Sequence, residues 1–410
     1  MRFLTGGESH GKGLTVIVDG FPAGIAVLAE AINNHLARRQ LGYGRGPRMK
    51  IEKDTVSILS GVRHGLSTGA PITLWIENKD FPAWEGVMSP EPIESLPDSS
   101  AAKAATDSKS YSRPRPGHAD LAGYWKYNHR DLRDVLERAS ARETAARVAA
   151  GALAQCLLTP LGIRIHSHVI QMGSFTGKAA QASKHNWQEL QWQDFVAQSD
   201  ANPLRSLWDS AETQEVIAYI DTVHKAGDTL GGRIEVLAIG VPPGLGSYTQ
   251  WDKRLDGQLA QALISIHAVK NVTLGDGTSP VSTQGSQYQD AIDVNPDDLA
   301  ITRRSNHAGG IEGGMSNGMP ILLQLEMKPL STLRVPLDSV NLETMAPEPG
   351  HFERSDVTAV PACGVVAEAM TAWVLANAVL EKFGADCWED LFASWQHYHT
   401  RLKRGAAKQT

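Results

Sequence analysis

Near the C-terminal end of this 410-residue chain, residues 364–382 read GVVAEAMTAWVLANAVLEK, the most apolar stretch in the sequence. Its apolar residues recur at helical spacing. Glu368 and Glu381 break the run before it reaches the roughly 18 uncharged residues that a membrane span needs. The segment therefore reads as the buried helix of a globular protein. The N-terminus, MRFLTGGESHGKG, has no apolar core of the kind a signal peptide carries, so a cytoplasmic location is expected.

Other segments suggest what surrounds that helix. Runs rich in β-branched residues at 14–19 (LTVIVD), 72–76 (ITLWI), 233–239 (RIEVLAI) and 321–327 (ILLQLEM) read as strands. Helical spacing also marks 29–40, 131–158 and 253–268. Strands and helices do not alternate at βαβ spacing, so an α+β fold is expected rather than a doubly wound sheet. Glycines cluster without a period at 6–7, 42–46, 231–232, 275–277 and 309–318, as tight turns or close approaches to a ligand require. The polar stretches 85–112 and 176–203 read as surface excursions, and the basic end after Arg401 is expected to fray.

Charge and cysteine content narrow the function. Thirty-nine Lys and Arg against 45 Asp and Glu leave a net charge of -6, which argues against a nucleic-acid binder. Cys156, Cys363 and Cys387 are odd in number and widely spaced, with no CxxC. A disulfide scaffold and a thiolate zinc cluster are thereby excluded, and a reducing compartment suits the chain.

Within this acidic protein, residues 31–51 hold no acidic residue but carry Arg38, Arg39, Arg45, Arg48 and Lys50. Arginine forms paired hydrogen bonds to phosphate and carboxylate, so a small polyanionic ligand is expected. GESHG at 7–11 sets His10 in a glycine-flanked turn, where imidazole serves as an acid or base near neutral pH. RPRPGHAD at 113–120 places His118 beside Asp120 on a proline-stiffened loop. That pair is also half of a metal site, but no second paired ligand motif accompanies it, and no metal is expected.

Four more motifs carry chemistry. ERASARET at 137–144 puts Arg138 and Arg142 four residues apart on the expected helix, with small residues that let a planar ring approach. NHAGGIEGGMSNG at 306–318 is neither a Walker A loop nor a dinucleotide fingerprint, yet its N–H groups suit a phosphate or flavin edge. KPLST at 328–332 offers a cation and two hydroxyls, matching a ribityl or phosphate chain. Arg354 beside Asp356 is expected to keep that carboxylate ionised as a base.

At this point the residues resemble one family closely. GESHGKGLTVIVDGFPAGI, ERASARETAARVAAGAL and RSDVTAVPACGVVAEAM resemble the three signature segments of the chorismate synthases. RRQLGYGRG, RPGHAD, DTLGGRIE, EGGMSNG and MKPLST fall between them in the family's order. The resemblance covers residues 1–384 and implies one large domain there, with 385–410 as a C-terminal extension. It implies a β-α-β sandwich, with helices between antiparallel sheets, assembled as a homotetramer.

The activity implied is a lyase reaction, the last step of the shikimate pathway to aromatic amino acids. 5-Enolpyruvylshikimate 3-phosphate loses phosphate and a C6 proton by 1,4-elimination to give chorismate. Reduced FMN is required although no net redox change occurs. By resemblance, His10 matches the histidine that protonates the departing phosphate, and His118 the one that protonates the reduced flavin. Asp356 matches the carboxylate that helps flavin N5 take the C6 proton. Arg39 and Arg45 match phosphate-binding arginines that serve substrate or NADPH. Arg138, Ala139, Ser140, His267, Ala268, Gly313, Lys328, Pro329, Leu330, Ser331, Thr332 and Arg354 match the flavin-contacting positions.

This sequence departs from the family pattern in two places. His267 stands where many relatives carry Gln, and no Lys or Arg lies between Asp276 and Arg303, where some relatives are basic. The resemblance leaves open whether NADPH reduces the flavin on this chain or an external flavin reductase supplies it. Three other functions compete. A dedicated flavin reductase would need a nucleotide fingerprint. A metal phosphohydrolase would use His10, His64, His118 and Asp120. A polyanion-binding protein would do no chemistry.

Overall fold

Two four-stranded antiparallel sheets enclose a layer of helices, in a computed structural model that describes residues 1–46, 53–177, 191–294, 301–353, 355–384 and 386–407. The first sheet contains β1 (Arg2–Gly6), β2 (Gly13–Asp19), β3 (Val56–Ser60) and β4 (Ile72–Glu77), in the spatial order β1-β2-β4-β3. The second contains β5 (Arg164–Met172), β6 (Gly232–Ile239), β7 (Val269–Leu274) and β8 (Ile321–Met327), in the order β5-β6-β8-β7. Both are antiparallel throughout, as the α+β expectation requires.

The first sheet alternates. Leu14, Val16, Val18, Ile72, Leu74 and Ile76 turn inward and are buried, whereas Ile17 on the opposite face is exposed. The second sheet does not alternate, because both of its faces are covered. Its outer face meets a helix at Trp192–Ala201, where Phe195 packs on Leu237 and Leu322. The expected excursion at 176–203 is thus partly a packed cover; residues 178–190 lie outside the described ones.

Between the sheets lie helices at Ala29–Gln40 (α1), Thr144–Leu158, Leu255–Ile264 and Val360–Phe383. The apolar segment near the C-terminus is the last of these, and nearly every residue in it is buried. It is long and apolar enough to cross a membrane, yet 94% of its most apolar window is covered by protein. A Cβ on Gly151 would come within 2.3 Å of Ala369 Cβ, so the 144–158 and 360–383 backbones pack in direct contact. Small residues at this crossing permit that approach.

The expected single helix at 131–158 is broken. It consists of Arg133–Ala139, a 3-10 turn at Ala141–Glu143, and Thr144–Leu158. Ser140 is extended (φ -64, ψ 142), and its hydroxyl accepts from Arg142 N–H at 3.2 Å. A serine that satisfies the backbone of the next turn competes with a continuous helix. Arg138 and Arg142 therefore do not share a face. The expected helix at 253–268 is shorter, Leu255–Ile264.

With the remaining helices, chain-order labels are α2 (Ser99–Lys109), α3 (Asp120–Tyr127), α4 (Arg133–Ala139), α5 (Thr144–Leu158), α6 (Trp192–Ala201), α7 (Ser210–Ala226), α8 (Leu255–Ile264), α9 (Val360–Phe383) and α10 (Trp388–Ala407). Residues 85–112 include α2, mostly exposed. In α10, Leu391 and Trp395 join the main core. The expectation of a frayed end falls partly on 408–410, outside the described residues.

Candidate active site

The β1–β2 loop carries GESHG, and Asn78, just past β4, fixes its backbone. Asn78 Nδ2 donates to the carbonyls of Glu8 (3.0 Å), Ser9 (3.3 Å) and Gly11 (2.7 Å). His10 then reaches Glu137 on α4. Its Nδ1 lies 2.9 Å from Glu137 Oε1, and its backbone N–H donates to Oε2 at 2.8 Å. The ring stacks on Trp84 with centroids 3.9 Å apart. Burial alone would raise the Glu137 carboxyl, but the bonds from His10 outweigh it and hold the group below its ordinary range.

His118 has a parallel arrangement. Its Nδ1 lies 2.5 Å from Asp120 Oδ1, and Asp120 is wholly buried at the start of α3. Arg115 donates to both Asp120 oxygens, from Nε at 2.9 Å and Nη2 at 3.0 Å, and from Nη1 to Thr332 Oγ1 at 3.0 Å. Burial pushes the Asp120 carboxyl up, but His118 and Arg115 overcome it and hold the group well below the carboxylate range. With these donors on both oxygens, Asp120 orients His118 rather than offering itself to a metal. Among the described residues no His, Cys, Asp and Glu cluster is placed to hold a metal, and His64 sits exposed in a hairpin turn at φ 52.

The KPLST segment follows β8 and lies against the His118 loop. Lys328 Nζ donates to Gly117 O at 2.6 Å, while Lys328 N–H donates to Ala268 O at 2.9 Å. Gly117 has φ 77, and a Cβ there would stand 3.1 Å from Lys328 Nζ. Pro329 and Leu330 carry the chain past Thr229, whose hydroxyl donates to Leu330 O at 2.8 Å. Ser331 follows, near Gly117. Ser355 Oγ donates to Thr332 O at 3.1 Å and joins this segment to Asp356.

Asp356 faces the cation loop that follows α1. Its Oδ1 accepts from Gly46 N–H at 2.6 Å, and its Oδ2 lies 3.3 Å from Arg45 Nε. Among the described residues, Arg45 is thus a cation beside it. Arg354, Arg48 and Lys50 lie outside the described residues. Arg39 and Arg142 are both buried and converge on Asp54, with Arg39 Nη2 at 3.4 Å from Oδ2 and Arg142 Nη1 at 2.5 Å from Oδ1. Arg142 Nε also donates to Asn78 Oδ1 at 2.9 Å, which ties the arginines to the His10 loop.

The remaining candidates lie on segments next to one histidine loop or the other. Ser140 Oγ lies 3.2 Å from Ser9 Oγ, next to His10, with Ala139 preceding it half-buried. Arg138 donates to Thr5 O at 3.0 Å, to Thr5 Oγ1 at 2.6 Å and to Gly7 O at 3.0 Å. His267 follows α8, beside Ala268 at φ 65. Burial chiefly, then Glu143, Arg147, His118 and Arg138, act on its ring, with a net lowering. Its Nδ1 is buried without a hydrogen-bond partner, 4.0 Å from Glu143 Oε2.

Gly313 is the exception. It turns the Ile311–Ser316 hairpin, whose Gly314 abuts Arg254 at the start of α8, the opposite end of that helix from His267. The described contacts of one chain do not bring it to the histidines. Conversely, Glu137 and Arg115 were legible only as members of motifs. Trp84, Asn78 and Asp54 carry no local signal at all, because their roles come from pairing across the fold.

The sequence profile described as chorismate synthase matches residues 1–380. The chorismate synthase of Brevibacillus brevis is 48% identical over 404 residues, covering 98% of this chain and all of the relative. That of Thermobifida fusca is 49% identical over 387 residues, covering 94% of this chain and 95% of the relative. A solved structure titled "Crystal Structure of Chorismate Synthase" superposes with a TM-score of 0.77 at 39% identity, covering 98% of both chains. On this identity, sustained over nearly its whole length, the chain belongs to the chorismate synthase family.

Proposed function

We propose that this chain converts 5-enolpyruvylshikimate 3-phosphate to chorismate and phosphate by 1,4-elimination, with reduced FMN, in the cytoplasm and as a homotetramer. One observation carries the reading. His10 and His118 each have Nδ1 held by a buried carboxylate, with Ser140 meeting Ser9 beside the first and Lys328 of the KPLST segment donating to Gly117 beside the second. Such a pair suits a reaction that protonates a leaving phosphate and manages a second proton elsewhere.

The residues fit a flavin. The buried, unpartnered Nδ1 of His267 calls for a polar ligand atom, and Lys328, Ser331, Thr332 and Arg138 offer a cation-rich and hydroxyl-rich rim. When bound, reduced flavin supplies electron density to the allylic system and recovers it, leaving the reaction redox-neutral. The chain's own groups do the rest. Arg39 and Arg45 bind the substrate's phosphate, His10 delivers a proton to the departing phosphate oxygen, and guanidinium groups stabilise the charge that develops there. Asp356, fixed by Gly46 N–H and by Arg45, stands on the route of the C6 proton. His118, tied to Asp120, exchanges its proton at the flavin side. Arg39 and Arg45 also suit the phosphate of NADPH, so the same chain is a candidate to reduce its own flavin.

The test is anaerobic turnover of 5-enolpyruvylshikimate 3-phosphate with chemically reduced FMN, set beside NADPH plus oxidised FMN. Chorismate in the first arm is expected. Chorismate only there assigns flavin reduction to an external reductase, and chorismate in both arms assigns it to this chain. No chorismate in either arm rejects the reading.

A further inference from the structure

Glu137 lies outside the groups assigned above, yet its surroundings are built around His10. Its side chain is 2% exposed, and the His10 side chain 12%. Its two oxygens receive both the ring Nδ1 and the backbone N–H of His10, while Ser9 N–H donates to its carbonyl at 2.9 Å. Arg133, one turn earlier on α4, donates to Glu137 Oε1 at 3.1 Å and to Glu353 Oε1 at 2.9 Å. Trp84 closes the ring face of His10, and Lys109 Nζ lies 4.2 Å from the centroid of that indole.

We propose that Glu137 is the positioning residue of the His10 acid: its carboxylate holds Nδ1 as the protonated nitrogen, so that proton delivery to the leaving phosphate runs through Nε2. This rests on the reading of His10 given above. A carboxylate on one ring nitrogen fixes both the tautomer and the ring orientation, and the other nitrogen becomes the one that exchanges a proton. In the transfer, the C–O bond pair leaves with the phosphate oxygen, that oxygen takes the Nε2 proton, and the ring becomes neutral with Nδ1–H still donated to Glu137. Trp84 removes the freedom to rotate that a solvated imidazole would have.

Among the described residues, the charged and titratable groups bonded to Glu137 or to its partner Arg133 come from the following elements. They are His10 from the β1–β2 loop, Arg133 from its own helix, and Glu353 with His351 from the segment before α9, reached through Arg133. Lys109 of α2 stands behind Trp84. Of these, His10 and Arg133 bond directly to the Glu137 carboxylate. Glu137→Gln removes that negative charge while preserving shape.

The experiment compares wild type, Glu137→Gln and His10→Ala in anaerobic turnover with reduced FMN across pH, each checked for folding by circular dichroism. The expected result for Glu137→Gln is a kcat lowered by at least about tenfold, part of what a positioned acid contributes, with KM within about threefold. The loss falls on kcat rather than KM, because the ring is misaligned while the substrate's other contacts are untouched. A purely structural role for Glu137 would reduce the folded fraction but leave kcat per folded enzyme unchanged. Wild-type kcat in folded Glu137→Gln, with His10→Ala inactive, overturns the positioning role alone. Wild-type turnover in His10→Ala overturns the reading beneath it. If Glu137→Gln does not fold, Glu137→Asp carries the test: its charge is kept but withdrawn by one methylene, so kcat drops about tenfold, and an unchanged kcat overturns the proposal.

Discussion

Arg45 Nε stands 3.3 Å from Asp356 Oδ2, although the two residues come from opposite ends of the chain. Gly46 N–H takes the other carboxylate oxygen at 2.6 Å, and Val357 N–H donates to Gly44 O at 2.9 Å. The glycine-rich cation loop and the last signature segment are therefore one structural unit. Because Arg45 fixes Asp356 and is also proposed to bind the substrate's phosphate, Arg45→Ala is expected to lower kcat and raise KM together. Asp356→Asn keeps the Gly46 bond and should lower kcat by at least about tenfold with little change in KM. Steady-state kinetics with reduced FMN check both, and equal effects on KM from the two variants would contradict this division.

The Asp120 carboxyl sits well below its ordinary range because His118 and Arg115 outweigh the effect of burial. A depressed carboxyl stabilises the fold above its unfolded value near 4, and that stabilisation is lost as pH falls toward the folded value. Asp120→Asn leaves Arg115 buried without its counter-charge, which destabilises by about 3 kcal/mol at pH 7. Urea midpoints of wild type and variant should differ most at neutral pH and converge on acidification. A constant gap from pH 7 to 3 would show that the ion pair is not its source.

Glu368, wholly buried in the middle of α9, accepts from Arg38 (2.6 and 3.0 Å), Arg205 (3.1 Å) and both the N–H and hydroxyl of Ser167 (2.9 and 2.7 Å). Burial would raise it, but Arg38, His166 and Arg205 hold it far below the carboxylate range. Burial likewise pushes His166 down to about 4. Both groups bind fewer protons folded than unfolded, so His166 removes stability as pH falls from its ordinary 6.5 to about 4, and Glu368 removes more as pH falls below its ordinary 4.5. Glu368→Ala should destabilise by about 3 kcal/mol at pH 7, since it leaves the buried Arg38 and Arg205 sharing Asp200 as their remaining carboxylate partner. Chemical denaturation checks this, and a loss under about 1 kcal/mol would refute it.

Gly151 and Ala369 leave no room for a methyl group. Gly151→Ala is expected to push α5 and α9 apart and destabilise by about 1–3 kcal/mol, despite the better helix propensity of alanine. A neutral or stabilising result in thermal unfolding would mean that the helices separate freely at this crossing.

Local pattern was enough to find the buried α9 and the two central strands of each sheet. Periodicity and β-branched runs are local properties, and residues such as His10, His118 and Arg45 lie in short motifs whose composition already limits their chemistry. Local pattern ran out where a residue's conformation depends on distant partners. The 131–158 segment has continuous helical spacing, but Ser140 breaks it, and that break turns Glu137 toward His10 while sending Arg142 inward to Asp54 and Asn78. Strand β5 was not legible because His166, Ser167 and His168 interrupt its β-branched residues, and these polar groups are buried only because Ser199, Glu368 and Glu235 pair with them across the fold. The His118–Asp120 pair was already adjacent within its loop, whereas the fold alone brings Glu137 to His10 and Arg45 to Asp356. The latter two pairings join residues remote in sequence, whose proximity exists only once the two sheets have closed on the helices between them.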